Sequence, residues 1–265
     1  MNCKWEELTA PDFAKARDAV GRTCVVPMGV LEKHGDHLPV GTDALFVTRV
    51  TEMAVALEPV IQFPTFIYGQ IQEAKPFPGT IAIRHDLMAA LLLNLCEEIA
   101  RNGFTKIILL NGHGGNESFL ANFTLGMLDQ LRPFTLYTVP LSQYFVPVKN
   151  SPEWTAMMRS PFDSHGGEME TSLLMAVRPD LVKMQDLSAP GDTQHRLDHV
   201  PAVTPVWWYA DYPNHYAGDA THATPDKGTF LMARLSERLA EIFKAVKADT
   251  EAPRLMAEFF RRSQH

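Results

Sequence analysis

The residues best suited to chemistry in this sequence lie in two glycine-rich segments, with Glu32, His34 and Asp43 in the first and His113 in the second. Glu32 and His34 are two positions apart, so in an extended loop both side chains point the same way. Mixed carboxylate and imidazole ligands suit Zn²⁺, Mn²⁺ or a similar divalent ion. One such residue alone is more often a solvated loop side chain, but a cluster of them among glycines favours a metal centre.

The second segment, Asn-Gly-His-Gly-Gly-Asn at residues 111–116, has three glycines in four positions. Such a backbone can approach a ligand closely or adopt positive φ, and the start of the following helix attracts negative charge. Neither GxGxxG nor GxxxxGK[ST] is present, which argues against nucleotide binding. The simpler interpretation is a strand-to-helix turn that His113 caps.

A third segment begins at His165 and carries Glu168 and Glu170 at the start of a predicted helix. Acidic residues in a first helical turn often only offset the helix dipole, and His165 by itself fits a surface residue. From the residues alone, the structural and the functional interpretations stay open.

The elements that must position these segments follow from hydrophobic periodicity and turn residues. Strands are predicted at residues 24–28, 60–66, 106–110 and 134–139, and helices at 42–57, 86–102, 167–177 and 225–247, with another from Glu117. The helix at 225–247 is predicted to close the domain. Residues 183–224, rich in Pro, Gly, Asp and aromatic residues, are predicted to form an irregular region over the site.

This alternation predicts an α/β fold in three layers, α/β/α, with a mainly parallel central sheet, as a single domain over residues 1–265. In such folds ligands collect at the carboxyl ends of the strands. The loops after Met28 and Leu110 lie at such ends and hold the clustered histidines. The predicted topology and the predicted chemistry therefore agree.

The composition narrows the class of protein. The chain has 265 residues, 46% of them hydrophobic, and a net charge of -7, which disfavours nucleic-acid and anionic-membrane partners. No apolar run approaches the roughly 18 residues of a membrane span, and the N-terminus resembles neither a signal nor a transit peptide. Three scattered cysteines fit reduced thiols and a cytoplasmic location. No CxxC pair is present, so the metal ligands must be histidines and carboxylates.

Residues 29–43, 111–116 and 165–172 together resemble the creatininase (creatinine amidohydrolase) family. Phe-Pro-Gly-Thr at 77–80 and the segment 218–228 are similar to two further family patterns, and all the blocks occur in the family's order. The resemblance implies a three-layer α/β fold, a binuclear metal centre, hydrolysis of an amide or cyclic amide, and often a homohexamer.

Carried over residue by residue, Glu32, His34, Asp43 and His113 match the family's metal ligands, with Asp43 in the bridging position. His165 matches a histidine implicated in proton transfer. Creatininase itself has a glutamate ligand two residues after the second-segment histidine, where this chain has Gly115. Glu170, the acid of the family's Glu-Thr-Ser segment, is the predicted replacement as a ligand and catalytic residue, with Glu168 as its rival.

The chain departs from the family pattern beside these ligands. Many relatives have Glu-His before the Phe-Pro-Gly-Thr segment, whereas here Glu73 is followed by Ala74. Lys33 and Asp36 replace the usual Gln and Pro. These departures leave the metal chemistry in place and the substrate open.

The leading hypothesis is a metal-dependent hydrolase in which activated water attacks the carbonyl of a small cyclic or linear amide. Two ions per subunit are predicted, Zn and/or Mn, with Fe as a further option. His165 would protonate the leaving nitrogen, the N–H groups of Gly114 and Gly115 would hold the oxyanion, and Glu73 and Trp207 would contact the substrate. Core or subunit packing is an equal alternative for the aromatic cluster 207–209.

Two other functions stay open. The same centre could cleave a carbon–carbon bond in a cyclic diketone such as a keto-inositol, and peptide trimming is a variant of the amide hypothesis. A non-catalytic metal-binding protein is the third option, disfavoured because all five principal site residues are intact. The predicted partners are a small-molecule substrate and further copies of the chain. The aromatic-rich residues 200–216 favour an oligomer, and the family resemblance implies a hexamer.

Overall fold

The computed structural model describes residues 1–263. Its strands are β1 Thr23–Met28, β2 Ile61–Gln62, β3 Lys106–Asn111, β4 Thr135–Val139, β5 Asp163–His165 and β6 Ala217–Gly218. Its α-helices are α1 Ala10–Ala19, α2 Thr42–Leu57, α3 His85–Arg101, α4 Asn116–Gly126, α5 Leu141–Lys149, α6 Pro152–Met157, α7 Glu168–Val177, α8 Trp207–Asp211, α9 Pro225–Ala248 and α10 Glu251–Arg262.

The central sheet has four parallel strands in the order β2-β1-β3-β4. All of β1 and most of β3 are buried, as expected where helices cover both faces of a parallel sheet. Alternate residues serve opposite faces: Val25 and Ile108 pack with α2, α7 and α9, whereas Val26 and Ile107 pack with α1, α3 and α4. The predicted three-layer α/β fold with a mainly parallel sheet is confirmed.

The structure corrects several predicted elements. The strand predicted at 60–66 is reduced to Ile61–Gln62, with an isolated bridge from Met28 to Phe66, because Pro64 between them has no N–H for the ladder. The helix predicted to be the last one is followed by a further helix, α10. Helices α1, α5 and α6 were not predicted either, and the largely irregular region 183–224 also contains α8 and β6.

The small antiparallel sheet of β5 and β6 matters for the site. It pairs His165 with Ala217, which brings the segment before α7 against the segment around residue 215. None of the helices in the described part of the chain combines the length and the apolar character that a membrane span requires.

A buried ion pair joins α7 to α9. Glu168 is wholly buried, pairs with Lys227 and accepts hydrogen bonds from the backbone N–H groups of Arg159 and Ser160, the closest N···O distances being 3.0 and 2.7 Å. Lys227 and these two N–H groups give the Glu168 carboxylate a structural role, joining α7 to its neighbours.

We expect Lys227→Ala to lower the free energy of unfolding by about 3 kcal/mol, because it leaves the Glu168 carboxylate buried without its counter-charge. Urea denaturation followed by circular dichroism measures the change. Arg234→Ala on the same helix is the control, since its pair with Glu237 is exposed and such pairs contribute about 0–1 kcal/mol. Equal effects in the two variants would contradict the structural role of the buried pair.

Candidate metal centre

The loops after β1 and β3 lie side by side because these parallel strands are neighbours and end together, with Met28 opposite Asn111. The Glu32 N–H donates to the Val40 carbonyl, which folds the first loop back and brings the start of α2, with Asp43, beside Glu32. A Cβ at Gly29 would lie 2.7 Å from the Cα of Ala44. Only glycine therefore lets α2 approach β1 this closely.

Glu32, Asp43 and His113 form one group of buried ligand atoms. His113 Nδ1 lies 2.8 Å from Glu32 Oε1 and 2.8 Å from Asp43 Oδ2. Neither carboxylate oxygen has a hydrogen-bond partner among residues 1–263. The other ring nitrogen, Nε2, donates to the Gln70 carbonyl at 2.9 Å. A backbone carbonyl that orients the far nitrogen in this way is typical of metal-binding histidines.

His34, Asp43 and Glu170 form a second group. His34 Nε2 lies 3.1 Å from Asp43 Oδ1 and 3.8 Å from Glu170 Oε2, while its Nδ1 is 3.3 Å from the carbonyl oxygen of Glu32. The arrangement repeats that of the first group. Asp43 directs one oxygen to each histidine, so it is shared between the two groups.

The electrostatics of both groups call for positive charge. Burial by itself lowers the pKa of His34, but the Asp43 carboxylate, with Glu32 and Glu170, raises it to about 10. The pKa of His113 is likewise held well above its usual range by Glu32 and Asp43, against the effect of burial. A proton can satisfy only one acceptor at a time, whereas a divalent cation satisfies three or four. The residues present therefore fit a divalent metal.

The structure separates the two rival glutamates. Glu168 is engaged by Lys227 and two backbone N–H groups, as described above. Glu170 accepts a hydrogen bond from the Gly166 N–H at 2.6 Å and belongs to the second group. Burial raises the pKa of Glu170 to about 7, with the Asp43 charge adding to the rise and His34 opposing it. Glu170 is thus the glutamate that the fold brings to the centre.

Gly115 has no room for a side chain. A Cβ at this position would lie 2.5 Å from His113 Nε2 and 2.5 Å from Gln70 Oε1. The contact between Gln70 and His113 occupies the space that a residue-115 side chain would need. A third carboxylate must therefore come from elsewhere, and Glu170 reaches the centre from α7.

His165 stacks on His34, with ring centroids 4.1 Å apart. Its Nε2 lies 2.8 Å from the Lys33 carbonyl oxygen; because a carbonyl only accepts, Nε2 carries the proton and Nδ1 has the lone pair. Burial, together with the positive charge of His34, lowers the pKa of His165 to about 3. An imidazole protonated on Nε2 alone can accept a proton at Nδ1 before it donates one.

A cavity of about 360 Å³ opens over the two groups. Its lining includes most of the predicted site residues: Glu32, Asp43, Glu73, His113, Gly114, Gly115, His165, Glu170 and Trp207. Glu73 also accepts a hydrogen bond from Gln70 at 2.8 Å, and Trp207 is half-exposed at the rim. Lys33 and Asp36, the two residues that differ from the usual Gln and Pro of the family pattern, form an ion pair with each other.

Sequence reasoning missed His215. It is buried, and its Nε2 lies 2.7 Å from Glu32 Oε2, although the two residues are 183 positions apart. It occurs in the aperiodic region 183–224, where no local pattern connects it to the metal segments. The only available signal was a histidine next to the aromatic cluster.

The sheet is mainly parallel, and a buried cluster of carboxylates and imidazoles lies at the ends of its central strands. These features define an α/β enzyme with a candidate metal centre. The sequence matches the Creatininase (creatinine amidohydrolase) family over residues 6–243. The chain therefore belongs to this family of hydrolases, which confirms the resemblance read from its motifs.

Three relatives illustrate the range of the family. The chain is 30% identical to creatinine amidohydrolase from Pseudomonas putida over 245 residues, covering 88% of this chain and 87% of the relative. It is 29% identical to the mycofactocin precursor peptide peptidase of Mycobacterium ulcerans (strain Agy99), covering 80% of each. Identity to the 3-dehydro-scyllo-inosose hydrolase of Thermotoga maritima is 23%, covering 84% of this chain and 76% of the relative.

Solved structures share the fold. Creatinine amidohydrolase (creatininase) aligns with a TM-score of 0.80 at 24% identity, covering 94% of this chain and 99% of that chain. Creatininase has also been solved as the Zn–Zn form of a point mutant and as a Mn form, each 22% identical to this chain, with TM-scores of 0.79 and 0.76. Each of these covers 94% of this chain and 100% of that chain.

We expect Glu170→Gln to weaken the binding of one metal ion by at least about 10- to 100-fold. Replacing a residue that only orients a metal ligand already costs this much affinity, and Glu170 is itself a proposed ligand. The amide keeps the size of the side chain and can still accept from the Gly166 N–H. Metal analysis after dialysis, with Zn²⁺ titration, measures the loss.

Glu168→Gln is the matched control: it should destabilise the fold yet leave the metal content of the folded protein unchanged. Loss of an ion in Glu168→Gln but not in Glu170→Gln would reverse the assignment. An unchanged content of one ion per chain in both variants would indicate a mononuclear centre.

Proposed function

We propose that this protein is a metal-dependent amidohydrolase that binds two divalent ions, Zn and/or Mn with Fe as a further option, and hydrolyses a small cyclic or linear amide. The observation that carries the proposal is the convergence of His113 Nδ1 with buried oxygens of Glu32 and Asp43 at 2.8 Å, which find no hydrogen-bond partner among the residues that the structure describes. Three buried ligand atoms so placed beside a cavity favour a bound divalent cation.

Glu32, Asp43 and His113 would hold one ion, and His34, Asp43 and Glu170 the other. The Zn–Zn and Mn forms of creatininase support this choice of metals. When bound, such ions lower the pKa of water from ~15.7 to about 7 and polarise a carbonyl. Three carboxylates, from Glu32, Asp43 and Glu170, offset the repulsion between two divalent charges.

His165 would move the proton. Because Nε2 is held by the Lys33 carbonyl, Nδ1 accepts the proton of the attacking water and then delivers it to the leaving nitrogen. Stacking on His34 and donation to Lys33 keep the ring in one orientation for both steps. The backbone N–H groups of Gly114 and Gly115, on the cavity wall, would stabilise the negative oxygen of the tetrahedral intermediate.

The cavity wall favours an amide with an apolar group. Much of the lining beyond the ligand atoms is apolar: Phe46, Leu141, Phe145, Leu173, Leu174 and Trp208. Cleavage of a carbon–carbon bond in a cyclic diketone, the alternative raised by the inosose hydrolase relative, would bring a hydroxyl-rich ring against this wall. Hydroxyl groups buried against these apolar side chains would lack partners, which is costly, so this part of the wall favours the amide substrate.

Assaying the metal-loaded protein against lactams, formamides, short apolar peptides and cyclic diketones tests the proposal. We expect amide hydrolysis that chelation abolishes and Zn²⁺ or Mn²⁺ restores. Diketone cleavage without amide hydrolysis would replace the proposed reaction with its alternative. Less than one bound ion per chain after reconstitution with each metal would refute the metal centre.

We also propose a homo-oligomer, with a hexamer as first choice. The segment 200–216 exposes apolar surface, including Val203 at 89% and Trp207 at 51% exposure, and contiguous exposed apolar residues commonly mark protein interfaces. Light scattering at micromolar concentration measures the mass, and a monomer would refute this proposal.

A further inference from the structure

We infer that His215 is a positioning residue that holds Glu32 in its metal-binding orientation, an inference that rests on the metal centre of the proposed function. His215 is 1% exposed, and its Nε2 lies 2.7 Å from Glu32 Oε2. On the other side of the ring, the indole N–H of Trp208 lies 3.1 Å from His215 Nδ1. The three side chains form a chain of hydrogen bonds that ends at a candidate ligand.

The direction of this chain follows from the chemistry of the indole. A tryptophan side chain can only donate, so Nδ1 of His215 must be the accepting nitrogen. The proton of the neutral imidazole is therefore on Nε2, and Nε2 donates to Glu32 Oε2. Trp208 thus selects the tautomer that His215 needs to hold the carboxylate.

The hydrogen bond from His215 gives the two Glu32 oxygens different roles. Oε2 accepts from His215, whereas Oε1 has no hydrogen-bond partner in the described part of the chain and faces His113 Nδ1 at 2.8 Å. A rotation of the carboxylate would break the bond to His215. The hydrogen bond from His215 to Oε2 therefore keeps Oε1 directed at the proposed ion.

The backbone holds His215 itself in position. Its φ is +53°, a left-handed conformation in which histidine is among the more frequent non-glycine residues. Its N–H donates to the Tyr212 carbonyl, and its own carbonyl accepts from the Gly35 N–H in the metal-ligand loop. The rings of Phe77 and His165 pack on it at centroid distances of 5.4 and 4.8 Å, which leaves the imidazole little freedom to turn.

Three variants test the inference through Zn²⁺ affinity, measured by competition with a chromophoric chelator. His215→Phe keeps an aromatic ring but loses the donor, and we expect one of the two ions to bind about 10- to 100-fold more weakly, the range for residues that orient a metal ligand. His215→Gln places an amide N–H near the position of Nε2 and should restore most of that loss. Trp208→Phe removes the tautomer selection and should give an intermediate loss.

Thermal melting of each metal-free variant checks that the fold persists. The Zn²⁺ affinities are then compared among folded proteins. Unchanged affinity for both ions in His215→Phe would overturn the inference, as would a His215→Gln protein as weak as His215→Phe. Failure of the unsubstituted protein to bind Zn²⁺ would instead overturn the metal centre, and the inference with it. The two failures are therefore distinguishable.

Discussion

Asp43→Ala is expected to empty both metal positions and to abolish hydrolysis. Asp43 is the carboxylate that faces both histidines, with Oδ1 3.1 Å from His34 Nε2 and Oδ2 2.8 Å from His113 Nδ1. Its removal leaves each group of ligand atoms with one carboxylate fewer. We expect the affinity for each ion to fall by at least roughly 100-fold, which is the upper end of the loss seen when a residue that only orients a metal ligand is replaced.

The measurement is metal content per folded chain after dialysis, with activity on the best amide substrate. Asp36→Ala is the matched control, because Asp36 lies in the same loop but is exposed and pairs with Lys33 and Ser188. It should keep both ions. Retention of one full ion by Asp43→Ala would show that Asp43 does not bridge the two groups.

His165→Gln is expected to lower kcat by about 10²- to 10⁴-fold, the usual contribution of a general acid–base residue, while both metals stay bound. The glutamine amide can still donate to the Lys33 carbonyl, so the loop geometry is retained, but no basic nitrogen remains to carry a proton. Steady-state kinetics with metal analysis on the same preparation separates the two effects.

His222→Gln, a substitution at an exposed histidine, is the control and should leave kcat unchanged. A ring nitrogen of His165 lies within 4.8 Å of ligand atoms of Glu32 and His34, so a ligand role is the real competitor. Metal loss in His165→Gln as complete as in Asp43→Ala would establish that role and remove the proton-transfer assignment.

The fold class was accessible from the sequence because its signals are local. Apolar runs at 24–28 and 106–110 are typical of strands covered on both faces, and the alternation of strands with amphipathic helices indicates a parallel sheet. The loops after two such strands open at the same edge, so the approach of Glu32, His34 and Asp43 to His113 could be predicted. The strand predicted at 60–66 was misjudged at Pro64, whereas α10 was missed although its sequence is strongly amphipathic.

The choice between Glu168 and Glu170 required the tertiary structure. Two residues apart on a helix differ by about 200° in direction, so the sequence indicates that one of them faces the centre but not which. The packing of α7 against α9 decides this, because it turns Glu168 toward Lys227 and leaves Glu170 facing His34.

The role of His215 depends on the tertiary structure even more strongly. The sequence by itself determined the class of fold, the family and the cluster of candidate ligands, since each depends on residues close together in the chain or on the order of strands. The hydrogen bond from His215 to Glu32 spans 183 positions and depends on a left-handed residue in an aperiodic region. Contacts of this kind have no periodicity to reveal them, so only the folded chain shows them.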